Sequence, residues 1–121
     1  MTTPATIAQD YIALWNTTDP VGRRALLDRH WRTDATYVDP MMAGDGLDQI
    51  DALITAMQDK YLPALRFSLC GTPDGHGDFI RFSWDLGPDQ APPLAKGTDF
   101  VRLDKGRIAS VTGFLDLVPA A

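Results

Sequence analysis

Residues 97–116 read GTDFVRLDKGRIASVTGFLD, two runs of alternating polarity that meet at Asp104, Lys105 and Gly106. Residues two apart in an extended chain face the same way, so Asp99 shares a face with Val101 and Leu103, while Phe100 and Arg102 take the other. The short glycine-containing turn between the runs predicts an antiparallel hairpin. Asp99 is the anomaly, a carboxylate on the apolar face. Burying an unpartnered charge is costly, so Asp99 is hydrogen-bonded, protonated or lining a cavity, unless the register slips and leaves it outside.

The same period of two extends back to residue 65. Turn clusters at PDGHGD (73–78), GPDQAPP (87–93) and DKG (104–106) separate four runs, which predicts an antiparallel meander. In FIRFSWDL, Ile80, Phe82, Trp84 and Leu86 alternate with Arg81, Ser83 and Asp85, so one face meets a core and the other is more polar. The outer face carries Phe79, Phe100 and Phe114 among Arg66, Arg81, Arg102, Asp85 and Asp116. Large apolar groups on a solvent-facing sheet mark an interface, and symmetric self-association is the commonest way to cover one. A homodimer through Phe79, Arg81, Phe100, Arg102 and Phe114 is expected.

The first half of the chain is helical in period. Thr3 and Pro4 give a start signal, and Ile7, Tyr11 and Leu14 follow at helical spacing to an end near Asn16. Asp19 and Pro20 repeat the signal for a helix through VGRRALLDRHW, with Leu27 and Trp31 on one face. A short β-rich run, ATYVD, precedes a loop holding Pro40, Gly44 and Gly46. Asp45 and Asp48 resemble a capping pair for a third helix, where Leu47, Ile50, Ile54, Met57 and Tyr61 share a face until Pro63 forbids continuation. Helices followed by a sheet define an α+β layer arrangement.

The whole composition narrows the function. A chain of 121 residues, 45% of them hydrophobic, supports one domain with one core, spanning residues 1–121. A formal charge of −5 without a lysine or arginine cluster argues against nucleic acid or an anionic membrane as partner. Cys70 is the single cysteine, so neither an intrachain disulfide nor a thiolate metal cluster can form, and a reducing cytoplasm is expected. The opening residues lack a basic start and a long apolar run, which predicts a soluble protein.

Some chemistries are set aside on spacing. His30 and His76 have no partner at metal-ligand spacing, so no metal is expected. His30 sits where a helix dipole favours it, and His76 belongs to a hairpin tip. Cys70 alternates onto the outer face with Arg66 and Ser68, and no histidine motif accompanies a serine. Gly71, Gly75 and Gly77 form a turn, not a phosphate loop, since no helix with a lysine follows.

The matching segments YIALWNTTD (11–19), DATYVDP (34–40), GLDQIDALI (46–54) and GTDFVRLDKGRIASVTGFLD together resemble the nuclear transport factor 2-like superfamily, closest to its SnoaL-like branch. The resemblance covers nearly the whole chain. It implies three N-terminal helices packed on a strongly curved antiparallel sheet, a cone whose mouth is a largely apolar pocket. It does not select a reaction, because the same fold serves isomerases, cyclases, hydrolases, accessory subunits and binding proteins.

Similarity to ketosteroid isomerase within that superfamily is sharper. It implies Asp39, before Pro40, as base, with Tyr11 and a protonated Asp99 as donors to a developing oxyanion. Read without the resemblance, Asp39 is equally a turn former whose extended backbone Pro40 enforces, and Tyr11 a core aromatic with a satisfied hydroxyl. Trp15, Trp31, Tyr37, Met41, Met42, Trp84 and Leu115 are expected to shape the pocket, or else to fill the core. The expected function is a cofactor-independent acid/base enzyme of isomerase or cyclase type, acting on a small hydrophobic carbonyl compound. The alternatives are a ligand-binding or accessory protein with the same pocket, and a dimerising scaffold with a filled core.

Overall fold

In the computed structural model, which describes residues 3–119, the chain runs α1 (Pro4–Asn16), α2 (Pro20–His30), β1 (Trp31–Val38), β2 (Ala43–Asp45), α3 (Leu47–Tyr61), β3 (Arg66–His76), β4 (Phe79–Gly87), β5 (Ala95–Asp104) and β6 (Arg107–Leu117). Both proline-led starts form as expected. Thr3 caps α1 by accepting from the Thr6 amide, and Asp19 caps α2 by accepting from the Gly22 amide at 2.9 Å.

Two helix boundaries differ from the sequence reading. Trp31 does not close α2. Its amide makes the last bond to the Leu27 carbonyl, but its own backbone is extended and it opens β1. Asp45 does not cap α3 either. Gly46 occupies that position at φ 84°, a left-handed conformation that glycine adopts without a Cβ penalty, while the Gln49 side chain accepts from the Asp45 amide at 2.8 Å.

The strands form one six-stranded sheet in the order β2-β1-β6-β5-β4-β3. β3 to β6 make the expected antiparallel meander. The sheet as a whole is mixed, because β1 lies parallel to β6. A parallel neighbour needs a long connection, and most of the chain lies between these two strands. β1 and β2 also intervene before α3, so the three helices do not all precede the sheet.

The turn within PDGHGD is shorter than expected. Asp74, Gly75 and His76 pair with Arg81, Ile80 and Phe79, which leaves Gly77 and Asp78 as the turn, while Gly71 sits at an irregularity within β3. Backbone pairing overrides the local turn preference of these residues. The DKG turn does form, with Lys105 and Gly106 both at positive φ between the paired Asp104 and Arg107.

The inner sheet face and the helices share one core, including Ile7, Leu14, Leu27, Ile50, Ile54, Phe82, Leu86, Val101 and Val111. Two buried polar side chains lock the helices onto it. The Arg23 guanidinium donates to Asp51 at 2.6 Å and to Gln58 Oε1 at 2.7 Å. The Gln58 amide in turn donates to the carbonyls of Trp15 at 3.0 Å and Thr17 at 2.8 Å, groups left open by the end of α1. Among the described residues, no helix is long and apolar enough to cross a membrane.

Gln58→Ala removes an acceptor from a buried guanidinium and a donor from two carbonyls. It is expected to lower the unfolding free energy by about 2–4 kcal/mol, read from urea midpoints at unchanged m-value. A change within about 0.5 kcal/mol would show that the helices are held by apolar packing alone.

Candidate active site

Tyr11 faces the sheet from the middle of α1. Its ring stacks on Trp31 (centroids 6.0 Å, 19° between planes) and meets the edge of Phe82 at 4.9 Å. This packing directs the hydroxyl at β5, where it donates to Asp99 Oδ2 at 2.6 Å. Asp99 is only 2% exposed, on the same face as the buried Val101, as the alternation in GTDFVRL requires.

Asp39 leaves β1 in front of Pro40, and its carboxylate is held by three donors. Oδ1 accepts from the Met41 and Met42 amides at 2.7 and 2.9 Å, and Oδ2 accepts from the Tyr37 hydroxyl at 2.7 Å. The Asp39 amide closes the turn onto the Met42 carbonyl at 2.9 Å. The residue is therefore a turn former, yet it also lines the cavity that Asp99 lines. The two acids come together over Gly113, opposite Asp99 on β6 and one residue beyond the Val38–Thr112 pair. A Cβ built at Gly113 would stand 2.9 Å from Asp99 Oδ1 and 3.2 Å from Asp39 Cβ.

That cavity has a volume of about 520 Å³, within the range of small-molecule sites. Tyr11, Asp39, Asp99, Trp15, Tyr37, Met41, Met42, Trp84 and Leu115 all line it. Trp15, Phe67 and Trp84 form a continuous aromatic wall, with centroids 5.4 and 5.6 Å apart. Met41, 78% exposed, lies at the lip. Trp31 does not belong to the cavity. It is fully buried behind Tyr11, because opening β1 turns its side chain toward the α1 core.

The sequence reading overlooked several lining residues, notably Met57, Lys60 and Tyr61 from α3, Phe67 from β3, and Leu117 from β6. Met57 and Tyr61 carried a legible helical period, which does not distinguish a core face from a cavity face. Gly97 and Gly113 did carry a signal, since glycine inside a strand marks a close approach. A Cβ at Gly97 would stand 2.2 Å from the Trp84 ring, so the indole lies against bare backbone.

Burial drives the electrostatics. It pushes the Asp99 carboxyl up to about 6; the Tyr11 hydroxyl and the Trp84 indole oppose the shift, and the negative charges of Asp39 and Asp116 add to it. Burial also raises Tyr11 well above the ordinary phenol range, reinforced by the charge on Asp99, and raises Tyr37 for the same two reasons. The phenols stay neutral donors at physiological pH. Among the described residues, no group of three or more His, Cys, Asp or Glu side chains converges where a metal could be held. His30 lies 3.9 Å from Asp10, and His76 is exposed against Phe79.

A SnoaL-like domain matches residues 8–111. A candidate isomerase of the SnoaL-like family from Agrobacterium tumefaciens strain C58 is 50% identical, superposes with a TM-score of 0.88, and covers 96% of this chain and 99% of its own. A protein with a ketosteroid isomerase-like fold from Catenulispora acidiphila, solved with trimethylamine, gives a TM-score of 0.71 at 22% identity over 92% of this chain and 85% of its own. A candidate SnoaL-like polyketide cyclase from Jannaschia sp. CCS1 gives 0.69 at 15% identity over 96% and 90%. These last two show a shared fold. No curated protein matches the chain. With its α+β architecture and a domain match over most of its length, the chain belongs to the SnoaL-like family.

Proposed function

We propose that the protein is a single SnoaL-like domain, its sheet wrapped around an apolar pocket, that catalyses cofactor-independent proton transfer on a small hydrophobic carbonyl compound, as an isomerase or cyclase. The observation that carries this reading is the presence of Asp39 and Asp99, in different surroundings, on one aromatic-walled cavity. Environments that separate two carboxyl groups are how one site supplies both a base and an acid.

In this mechanism the Asp39 carboxylate takes the proton from the carbon next to the carbonyl. The C–H bond electrons pass into the carbonyl group and charge develops on its oxygen. When the ligand binds, the Tyr11 hydroxyl turns its proton from Asp99 Oδ2 to that oxygen and the protonated Asp99 donates beside it, in a site whose apolar walls strengthen both bonds. The enolate then collapses to the carbonyl as the proton returns to another carbon, or its carbon adds to a second carbonyl of the same ligand, closing a ring while that carbonyl's π electrons go to its oxygen, which takes the proton back from Asp39. Trp15, Trp84, Met41, Met42 and Leu115 hold the apolar body of the ligand, while the turn bonds from the Met41 and Met42 amides aim the base.

A second reading, a non-catalytic binding or accessory protein, is favoured by one observation. Both oxygens of Asp39 already accept hydrogen bonds. The scaffold with a filled core is disfavoured by a cavity of about 520 Å³.

Solvent deuterium incorporation next to the carbonyl, followed by NMR across small β-dicarbonyl and β,γ-unsaturated ketones, separates the first two readings. Exchange is expected with the wild type, with losses of about a hundredfold or more in Asp39→Asn and about a hundredfold in Tyr11→Phe. Ligand binding without exchange, undiminished in Asp39→Asn, supports the binding protein instead.

The raised Asp99 carboxyl has two consequences for pH. As a donor it must be protonated, so turnover is expected to fall as pH rises through about 6, a limb that Asp99→Asn removes. The folded state also holds this proton where the unfolded chain, with an ordinary aspartate near ~3.9, has lost it. Stability therefore falls as pH rises from about 4 to about 6, and the penalty, on the order of 3 kcal/mol, is complete above that window. Asp99→Asn is expected to flatten this dependence and to be the more stable protein at pH ~7.5 by urea denaturation.

We also infer a homodimer through the outer sheet face, which leaves Phe79 (54%), Phe100 (45%) and Phe114 (53%) exposed beside Arg81 and Arg102. Phe100 and Phe114 already meet edge to face at 5.7 Å, giving a partner a preformed apolar contact. Sedimentation equilibrium is expected to return twice the 13.3 kDa chain mass, and the single mass for Phe100→Asp combined with Phe114→Asp.

A further inference from the structure

Gly113 stands in the interior of β6, where a glycine weakens a strand and where its backbone does not adopt the left-handed conformation that favours the residue. Local conformation therefore does not explain it. Space does. The nearest atoms to a Cβ at this position would be Asp99 Oδ1 at 2.9 Å, Asp39 Cβ at 3.2 Å and Asp99 Cγ at 3.7 Å. All three belong to the side chains of the two acids, and none to the sheet backbone. Gly97, by contrast, abuts the Phe114 carbonyl at 2.9 Å as well as the Trp84 ring, so substitution there would disturb the ladder itself.

We propose that Gly113 is a positioning residue of the site: by carrying no side chain it lets the Asp99 carboxyl lie across β6, within reach of Tyr11 and beside Asp39. The end of a side chain moves more easily than a paired backbone. A methyl group at 113 would thus swing the Asp99 carboxyl away and lengthen the 2.6 Å bond from Tyr11 while leaving the strand register in place. The consequence for turnover rests on the proposed proton transfer; the placement of Asp99 does not.

The test is Gly113→Ala, read in two ways. The Asp99 carboxyl titrates among Tyr11 from α1, Tyr37 from β1, Asp39 in the turn that follows it, and Asp116 from β6. Followed by carbon-detected NMR without any ligand, its midpoint is expected to move by about half a pH unit or more in the variant. In the exchange assay, kcat is expected to fall about tenfold or more with KM within a factor of about three, and the same change in an Asp99→Ala background, which lacks the obstructed carboxyl, is expected to cost less than about threefold. An unmoved Asp99 midpoint overturns the inference, as does an equal loss in both backgrounds. Should Gly113→Ala fail to fold, adding Asp99→Ala is expected to restore folding by removing the obstructed carboxyl; continued failure overturns the inference. If the wild type shows no exchange, the proton-transfer reading falls while the titration still decides the role of Gly113.

Discussion

The three helices are tied together by one buried amide. Gln58 accepts from the Arg23 guanidinium of α2 and donates to the Trp15 and Thr17 carbonyls at the end of α1, while itself belonging to α3. Each of these groups would be costly to bury alone, so the helices are stable on the sheet chiefly in the arrangement that satisfies all of them. That arrangement sets the position of Tyr11 over β5. A hydroxyl that must meet a carboxylate at 2.6 Å tolerates little drift in its helix.

The cavity shows how a polar cluster survives among aromatic walls. Each carboxyl group has its own phenol, Tyr11 for Asp99 and Tyr37 for Asp39, and the two pairs are held in unlike ways. Asp39 draws two of its donors from the backbone of its own turn, so its geometry is local. Asp99 accepts from the Tyr11 hydroxyl, 88 positions away in the chain, so its geometry exists only in the folded protein. Burial then raises its proton affinity, a cost the fold retains at a site where two acids face one space.

Strand glycines complete the shape. Gly97 admits the Trp84 ring against β5 and Gly113 admits the Asp99 carboxyl against β6, so the inner sheet face is relieved at the two places where the cavity needs depth. Outward, the same strands present Phe79, Phe100 and Phe114, a surface of different character built from the alternate residues. Period-two alternation lets one sheet carry a cavity-facing side and an exposed aromatic side without either pattern disturbing the other.

Much of the fold was legible because it rests on local rules. Proline-led caps placed α1 and α2, the i, i+3, i+4 pattern placed α3, and alternation alone put Asp99 inward. Legibility ended where a longer-range contact overrode a local preference. PDGHGD looked like a turn, but its first residues pair with β4; Trp31 had helical spacing, but its extended backbone puts it in β1 beside Ile108. The parallel pairing of β1 with β6 had no sequence signature, since neither strand records its neighbour's direction. For the site, the chemical types of Tyr11, Asp39 and Asp99, and the faces of Tyr11 and Asp99, were determined by the sequence. Their meeting over Gly113, the exclusion of Trp31 from the cavity and the donors assigned to each acid were decided only by tertiary structure, because a hydrogen bond depends on ångström distances that periodicity and residue type do not encode.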